Sequence, residues 1–232
     1  DLNYNIIIAA TAEEEIAGEN SIRLLIKELP EINFAIIGEP TLMNLAIAEK
    51  GLVVFDGKIH GTPSHAAHEN KNNAINKLSE IINWFKNFKF EKTSSFLGPV
   101  KLTITQINAG SQHNVIPSEV EIVVDVRVNE LYSNDEIVKI LQKEAPCKLI
   151  PRSTNLKSSS ISSDHKIVKA AINLGKKTYG SPTLSDQAAL NCPSLKLGPG
   201  DSKRSHIADE FIYLDEIEEG INFYIKLLKQ IL

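Results

Sequence analysis

The sequence predicts an α/β protein in which a parallel-type domain is interrupted by a ferredoxin-like lid domain. Two continuous apolar runs near the start of the chain flank a helical pattern, which is typical of a βαβ unit. The middle of the chain follows the order β-α-β-β-α-β, and its strands alternate with period two. Helical periodicity and a short apolar strand return towards the end. We therefore predict one domain from residues 1–48 and 155–232, with residues 49–154 inserted into it.

The first βαβ unit is predicted from the apolar runs at 2–10 and 34–38. Neither run alternates, as expected for parallel strands that are covered on both faces. A helix is predicted between them over 14–29, because Pro30 cannot continue it. The sequence has no initiator Met and enters a strand almost at once, so we expect an earlier piece of the same domain upstream.

The inserted lid is expected to be an independent two-layer unit. Its predicted elements are strands at 52–59, 100–109, 119–128 and 147–151 and amphipathic helices over 72–88 and 133–144.

The closing segment returns to the first domain. Helical periodicity at 167–174 is expected to end at Gly180, and a short strand is predicted at 195–198. Asp215 and Glu218 are predicted to form the capping pair that opens the last helix.

The composition excludes several classes of protein. The 232 residues carry a net charge of −4 and no basic block, so neither a nucleic acid nor an acidic membrane surface is indicated as a partner. No apolar run reaches the roughly 20 residues of a membrane span, and there is no signal-peptide pattern. Cys147 and Cys192 lack a Cys-x-x-Cys partner, which favours two reduced thiols. These features predict a cytoplasmic protein.

Three adjacent carboxylates, Glu13 to Glu15, follow the first predicted strand. Carboxylates beside low-dielectric protein are costly unless a cation or hydrogen-bond donors compensate them. One interpretation is a helix start in which Thr11 and Glu14 form a capping box. The other is a metal site. Only the second also explains Glu39, which follows the next strand, because open α/β sheets bind ligands past the carboxyl ends of their strands.

A histidine completes a set of metal-binding residue types. His206 lies in a glycine-rich loop after another short strand, and Asp209 and Glu210 follow it as candidate partners for its ring. Carboxylates and imidazole suit Zn²⁺, and an adjacent glutamate is left to activate water. Any one of these residues alone is more often an ordinary loop residue.

The lid carries three further candidates, His65, Asn114 and Arg127. Separately they read as a loop histidine, a turn asparagine and a strand-edge arginine. Together they provide what an anionic amide substrate needs. A histidine and an asparagine can donate to an oxyanion, and a planar guanidinium can hold a carboxylate at two places.

Five segments occur in order along the chain: TAEEEIAG, IIGEPT, IHGTPSHAAHENKNNAI, HNVIPSEVEIVVDVR and GPGDSKRSHIADE. Together they resemble the co-catalytic dizinc metallopeptidase and deacylase family of acetylornithine deacetylase, succinyl-diaminopimelate desuccinylase and related carboxypeptidases. The resemblance covers almost the whole chain, whereas any single motif would be weak. It implies a zinc-peptidase-like catalytic domain with a lid that also serves dimerisation.

The resemblance implies a role for each candidate in the catalytic domain. Glu14 matches the general base, and Glu15 matches the metal ligand beside it. Glu39 and His206 match ligands of the two different zinc ions. The family's His-x-Asp motif and bridging Asp lie upstream of the first segment, so three of the five expected ligands are present in this sequence.

In the lid, the resemblance implies that His65 stabilises the tetrahedral intermediate in the site of the partner subunit. Asn114 and Arg127 match residues that grip the substrate, Arg127 through its α-carboxylate. Ser185 is a further candidate for substrate contact. A homodimer through the lid and two zinc ions per full-length subunit are expected, and cobalt is expected to substitute.

The implied activity is zinc-dependent removal of an acyl group from an N-acyl amino acid. The segments AEKGLVVFDGKIHG and SDQAAL favour the acetylornithine or N-acylcitrulline deacetylase branch. The expected substrate is therefore an N-acetyl- or N-succinyl-ornithine or -citrulline of arginine biosynthesis. Succinyl-diaminopimelate desuccinylase or a dipeptidase is the enzymatic alternative, and a non-catalytic dimeric relative is the other.

Overall fold

The computed structural model describes residues 5–16, 18 and 20–232. The chain divides into two compact units, which we call the host unit (1–50 and 158–232) and the inserted unit (51–157). Along the described ranges the helices are α1 (Ile22–Leu25), α2 (Ala74–Asn87), α3 (Asn134–Glu144), α4 (Lys166–Asn173) and α5 (Leu214–Leu228). The strands are β1 (Ala35–Ile37), β2 (Leu45–Glu49), β3 (Gly51–His60), β4 (Ser64–His65), β5 (Lys101–Ala109), β6 (Val115–Ile116), β7 (Glu119–Val128), β8 (Lys148–Pro151), β9 (Ser159–Ser160), β10 (Thr178–Ser181) and β11 (Ser194–Lys196). No helix in these ranges is long and apolar enough to cross a membrane.

The host unit is organised around a five-stranded mixed sheet with the order β1-β11-β2-β10, to which β9 adds by pairing with β2. β1 runs parallel to β11, whereas β11 and β9 run antiparallel to β2. Because β1 and β11 are parallel neighbours, the loops after them emerge side by side. Gly198 lies so close to Glu39 that a Cβ at Gly198 would be 2.5 Å from the Glu39 carbonyl oxygen. The sheet and helices α4 and α5 share one core, which includes Leu45, Ile47, Ile167, Leu195, Leu197 and Leu227.

Two predictions for the start of the host unit are wrong. Residues 5–10 form no strand, and no strand of the described chain pairs with them. Without a sheet to join, their apolar side chains stay exposed, 93% in the case of Ile8. Residues 2–4 of the predicted strand lie outside the described residues. The helix predicted over 14–29 is only the single turn α1, whose N-cap is Ser21.

The helix boundaries of the closing segment also differ from the prediction. α4 is followed by Gly175 and not by Gly180, because Gly175 has a φ of 86° and its N–H closes the last turn on the Ile172 carbonyl. α5 begins one residue before the predicted capping pair. The Glu216 carboxylate accepts from the Tyr213 N–H at 3.1 Å, so these two residues make the capping interaction expected of Asp215 and Glu218. β1 and β11 confirm the strands predicted at 34–38 and 195–198.

The inserted unit has the predicted ferredoxin-like fold. Its four antiparallel strands lie in the order β5-β7-β3-β8, and α2 and α3 supply the second layer. β3 and β7 pair along their whole length, from Gly51 opposite Val128 to His60 opposite Glu119. The chain enters and leaves this unit at one place, because the Leu52 N–H donates to the Leu156 carbonyl at 2.9 Å. The core includes Val53, Phe55, Ile81, Phe85, Ile122, Val124, Ile137 and Leu141.

Candidate active site

Glu13 shapes the acidic loop, which we define as residues 11–16. It has a φ of 55°, and its carbonyl accepts the Gly18 N–H at 3.1 Å. Its carboxylate accepts from the Asn20 side-chain amide at 2.8 Å and from the Asn20 N–H at 3.1 Å. These hydrogen bonds lower the pKa of Glu13. Glu13 is therefore an ionised residue committed to the turn, which leaves Glu14 and Glu15 for chemistry.

Glu14 and Glu39 line one pocket of about 770 Å³ in the host unit, together with Asp186 and many apolar side chains. The pKa of Glu14 is raised mainly by burial and then by repulsion from Glu39, Glu15 and Asp186. Burial also raises the pKa of Glu39, and the Lys196 ammonium offsets part of this increase. A carboxylate in a pocket with a raised pKa has the property that a general base requires.

His206 faces Glu15 across the acidic loop, with 3.6 Å between Nε2 and Oε2. His206 has a φ of 59°, and the Glu210 carboxylate accepts its backbone N–H at 2.9 Å. Glu210 thus binds the backbone of His206 and not its imidazole ring. This differs from the prediction that Glu210 is a partner of the ring. The charge of His206 also reaches Glu39, whose pKa it lowers. The structure therefore brings Glu15, Glu39 and His206 within electrostatic reach of one another.

These side chains suit zinc in chemistry and in charge. Two carboxylates and an imidazole are donors that Zn²⁺ accepts, and a bound cation would relieve the repulsion that raises the pKa of Glu14 and Glu39. Over the residues that the structure describes, no three His, Cys, Asp or Glu side chains are arranged to hold a metal ion. Glu15, Glu39 and His206 are thus of the residue types that zinc accepts, but they are not arranged as a metal site in this structure.

The structure places Ser185 inside the protein. Its hydroxyl donates a hydrogen bond to Glu49 Oε2 at 2.8 Å, and the residue is 3% exposed. This burial argues against the predicted contact of Ser185 with substrate. The next residue, Asp186, accepts a hydrogen bond from the Thr11 hydroxyl at 3.0 Å and lines the pocket. The capping role considered for Thr11 is therefore wrong, because α1 starts at Ile22 and Thr11 binds a distant carboxylate.

Sequence reasoning missed Asp186 and the buried cation Lys196. The sequence contained an indication of each of these two residues. Asp186 follows Ser185 in the same short motif, and Lys196 interrupts the apolar run Leu195–Leu197, where an unpaired charge would be very costly.

In the inserted unit, a two-stranded ribbon of β4 and β6 brings His65 and Asn114 together. His65 pairs with Val115, and the Ala66 N–H donates to the Asn114 carbonyl at 2.9 Å. His65 Nδ1 accepts the Ala67 N–H at 3.1 Å, so Nε2 is the nitrogen that carries a proton in the neutral ring. Both His65 and Asn114 are exposed. The ribbon therefore presents a hydrogen-bond donor at the surface, as oxyanion stabilisation requires.

Arg127 lies at the other end of the inserted unit. It pairs with Leu52 at the start of β3, whereas the ribbon follows His60 at the end of β3. About eight residue steps along the strand separate these ends, or roughly 27 Å. The guanidinium of Arg127 forms two hydrogen bonds to the Asp125 carboxylate, at 2.8 and 3.0 Å. Arg127 is thus oriented by Asp125, and it lies at the opposite end of β3 from the point where the chain leaves for the ribbon.

The inserted unit is similar to a known domain family. Residues 47–149 match the M20 peptidase dimerisation domain family. Succinyl-diaminopimelate desuccinylase of Rickettsia rickettsii is 25% identical over 259 residues, an alignment that covers 100% of this chain and 68% of the relative. The same enzyme of Orientia tsutsugamushi is 27% identical over 156 residues, covering 62% of this chain and 40% of the relative.

Solved structures share the fold at lower identity. A tripeptidase of Staphylococcus aureus superposes with a TM-score of 0.66 at 20% identity, covering 88% of this chain and 58% of its own. A dinuclear metal-binding M20 peptidase of Bacillus subtilis gives a TM-score of 0.65 at 17% identity, covering 94% and 62%. This chain thus spans well under the full length of these proteins. Its fold is the mixed α/β fold of these peptidases, with an inserted unit similar to their dimerisation domain.

Proposed function

We propose that the chain carries much of the active site of an M20 family amidohydrolase, which removes an acyl group from an N-acyl amino acid. The observation that supports this most directly is the pocket in which Glu14 and Glu39 hold raised pKa values beside Glu15 and His206. Repelling carboxylates cost stability and serve no packing role. A bound cation that offsets their charge, together with a reaction that uses one of them as a proton acceptor, accounts for their presence.

Zinc is the proposed metal, with Glu15, Glu39 and His206 as its ligands from this chain. When bound, the metal polarises the scissile carbonyl and makes water a stronger acid. Glu14 takes the proton from the attacking water and returns it to the leaving amine, which its raised pKa suits. The His65 Nε2–H donates to the oxyanion, since the other ring nitrogen already accepts the Ala67 N–H.

Two substrate classes compete for this site. The sequence motifs favour N-acetyl- or N-succinyl-ornithine or -citrulline, whereas the relatives that cover the whole chain are named succinyl-diaminopimelate desuccinylases. We place succinyl-diaminopimelate first, because the 25% identity extends over the entire chain. Arg127 is proposed to bind the substrate carboxylate, with Asp125 fixing the plane of its guanidinium.

A homodimer is proposed to complete the site. Arg127 lies opposite Leu52 at one end of β3, and the ribbon that carries His65 follows His60 at the other end, roughly 27 Å away along the strand. We therefore propose that the two residues act on one substrate molecule from different subunits. The match of residues 47–149 to a dimerisation domain supports this arrangement. The proposed location is the cytoplasm.

A hydrolysis panel tests the proposed function. N-succinyl-diaminopimelate and the N-acetyl and N-succinyl derivatives of ornithine and citrulline would be assayed with the full reading frame that contains this sequence, loaded with Zn²⁺ or Co²⁺. Release of one free amine above all others assigns the substrate. A protein that binds zinc and dimerises but hydrolyses none of these compounds or simple dipeptides would favour a non-catalytic relative.

A further inference from the structure

A buried ion pair lies behind the pocket of the host unit. Lys196 Nζ is 2.9 Å from Glu49 Oε2, and the two side chains are 3% and 0% exposed. Such a pair is stable only where hydrogen bonds satisfy its remaining polar atoms. Lys196 donates to the Thr183 carbonyl at 3.1 Å, and Glu49 accepts from the Ser185 hydroxyl at 2.8 Å. The segment 181–185 is therefore folded around the two charges.

The same network continues into the short 3-10 turn Asp186–Ala189. The Ser185 hydroxyl caps this turn by accepting the Gln187 N–H at 3.3 Å. The Gln187 side-chain amide donates to the hydroxyls of Ser159 at 2.9 Å and Ser194 at 3.0 Å. Ser185 and Gln187, the two neighbours of Asp186, are thus buried and fixed by hydrogen bonds. The backbone of Asp186 is fixed from two sides while its side chain points out of the network towards Thr11.

Asp186 connects this rigid base to the acidic loop. Its Oδ2 accepts the Thr11 hydroxyl at 3.0 Å, between residues that are 175 positions apart in the sequence. Thr11, Glu14, Glu39 and Asp186 all line the same pocket. The charge of Asp186 also raises the pKa of Glu14 and of Glu39, so it lies close to both.

We propose that Asp186 is a positioning residue, which ties the acidic loop to the buried Lys196–Glu49 pair through Thr11 and so sets the placement of Glu14 and Glu15. This inference rests on the proposed function only for its consequence, metal binding. The hydrogen bond between Thr11 and Asp186, which we call the tie, is a feature of the acidic loop itself. Asp186 acts through its acceptor oxygen, so an asparagine can replace it.

Hydrogen exchange of this 232-residue chain measures the tie. The N–H groups of Gly18 and Asn20, which bind Glu13, report whether the acidic loop holds its shape. Thr11→Val and Asp186→Ala should each speed their exchange by about 3- to 10-fold, as expected for loss of one exposed hydrogen bond. The double variant should exchange no faster than either single variant, because both remove the same bond.

Asp186→Asn should stay within about 2-fold of the parent, since its amide oxygen still accepts from Thr11. Thr105→Val and Asp164→Ala are matched controls, because each removes an exposed hydroxyl or carboxylate bond elsewhere in the chain. Equal effects of Asp186→Asn and Asp186→Ala, or additive effects of the double variant, would overturn the tie.

A Zn²⁺ titration of the same variants tests the consequence. Thr11→Val changes no charge, so a 3- to 10-fold weaker affinity for Zn²⁺ would show that the tie places the metal-binding residues. Faster exchange with unchanged affinity overturns this role of Asp186. Glu15→Gln and His206→Ala are titrated alongside. If neither weakens zinc binding, the proposed function fails, whereas the positioning of the acidic loop by Asp186 is still decided by the exchange rates.

Discussion

Glu39 is held where burial opposes its charge by more than the Lys196 ammonium offsets, which makes it a residue that costs stability in the absence of metal. Its pKa is raised in the folded chain, so the folded state binds the proton more tightly than the unfolded state does. Its contribution therefore favours folding at low pH and turns against folding as the pH rises through the raised pKa. At neutral pH a neutral side chain of the same shape avoids this cost.

Glu39→Gln should thus raise the melting temperature of the metal-free chain at pH 7, by about 2–4 °C for each kcal/mol relieved. The gain should shrink as the pH falls towards 4.5, where the parent carboxylate becomes protonated. Thermal unfolding in the presence of a chelator measures both. The exposed Glu31→Gln is the matched control. A lower melting temperature for Glu39→Gln at pH 7 would contradict the assignment.

Glu14 and Glu15 are neighbours with different surroundings, since Glu14 is half-buried in the pocket and Glu15 is exposed beside His206. In the full reading frame, Glu14→Gln should keep its metal and lose activity by about 10²–10⁴-fold, the usual contribution of a general base. Glu15→Gln should lose metal affinity as well. Elemental analysis and turnover separate the two, and the reverse pattern would show that the register of the three glutamates is shifted by one.

Residue types in the site were predictable from the sequence, but their partners were not. The carboxylates, the imidazole and the guanidinium are visible in short motifs. The bonds from Thr11 to Asp186 and from Ser185 to Glu49 join positions more than a hundred residues apart. Such pairings depend on the sheet order, which local patterns do not contain. Sequence analysis therefore named Ser185 as a candidate for substrate contact and overlooked Asp186 beside it.

At the scale of elements, prediction succeeded where the pattern was long and local. β3 and β7 alternate over ten residues each, β5 spans nine residues and α2 spans 14, so the ferredoxin-like unit followed from long local patterns. β2 was missed because its five residues are all buried and end in Glu49, which only the Lys196 pairing explains. The run at 5–10 is strongly apolar, yet it forms no strand, because a strand requires a neighbouring strand with which to pair.

The end of α4 offers a test at this scale. Gly175 has a φ of 86°, a left-handed conformation that costs other residues about 1–2 kcal/mol. Gly175→Ala should destabilise the chain by about this amount, measured by urea unfolding. Gly38→Ala is the control, because Gly38 has open space around its Cβ position and no positive φ. Equal effects of the two substitutions would contradict the role of Gly175 in ending the helix.

For the whole molecule, the proposal that His65 acts in the site of the partner subunit predicts complementation between subunits. A His65→Ala chain would lack only the imidazole that it supplies to the site of its partner. A Glu14→Gln chain would lack only the general base of its own site. In a mixed dimer one site is broken twice and the other is intact. Random exchange makes about half of the dimers mixed, so co-refolding the two inactive full-length variants should restore about a quarter of the parent activity.

Turnover of the co-refolded mixture measures this recovery, and each variant refolded alone is the control. Exchange of subunits is verified separately with two distinguishable tags. If subunits exchange while the mixture stays as inactive as its parents, His65 acts within its own chain or has no part in the reaction.

The position of the inserted unit within the host sheet has an evolutionary consequence. β2 and β9 are antiparallel neighbours, and Glu49 lies opposite Ser159. The inserted residues 51–157 connect these two strands where a hairpin would need only a tight turn. An ancestral host could therefore have gained the unit in one recombination event at a turn, without disturbing any strand order. By the same logic, exchange of the inserted unit would replace His65 and Arg127 together and leave Glu14, Glu15, Glu39 and His206 of the host unit in place.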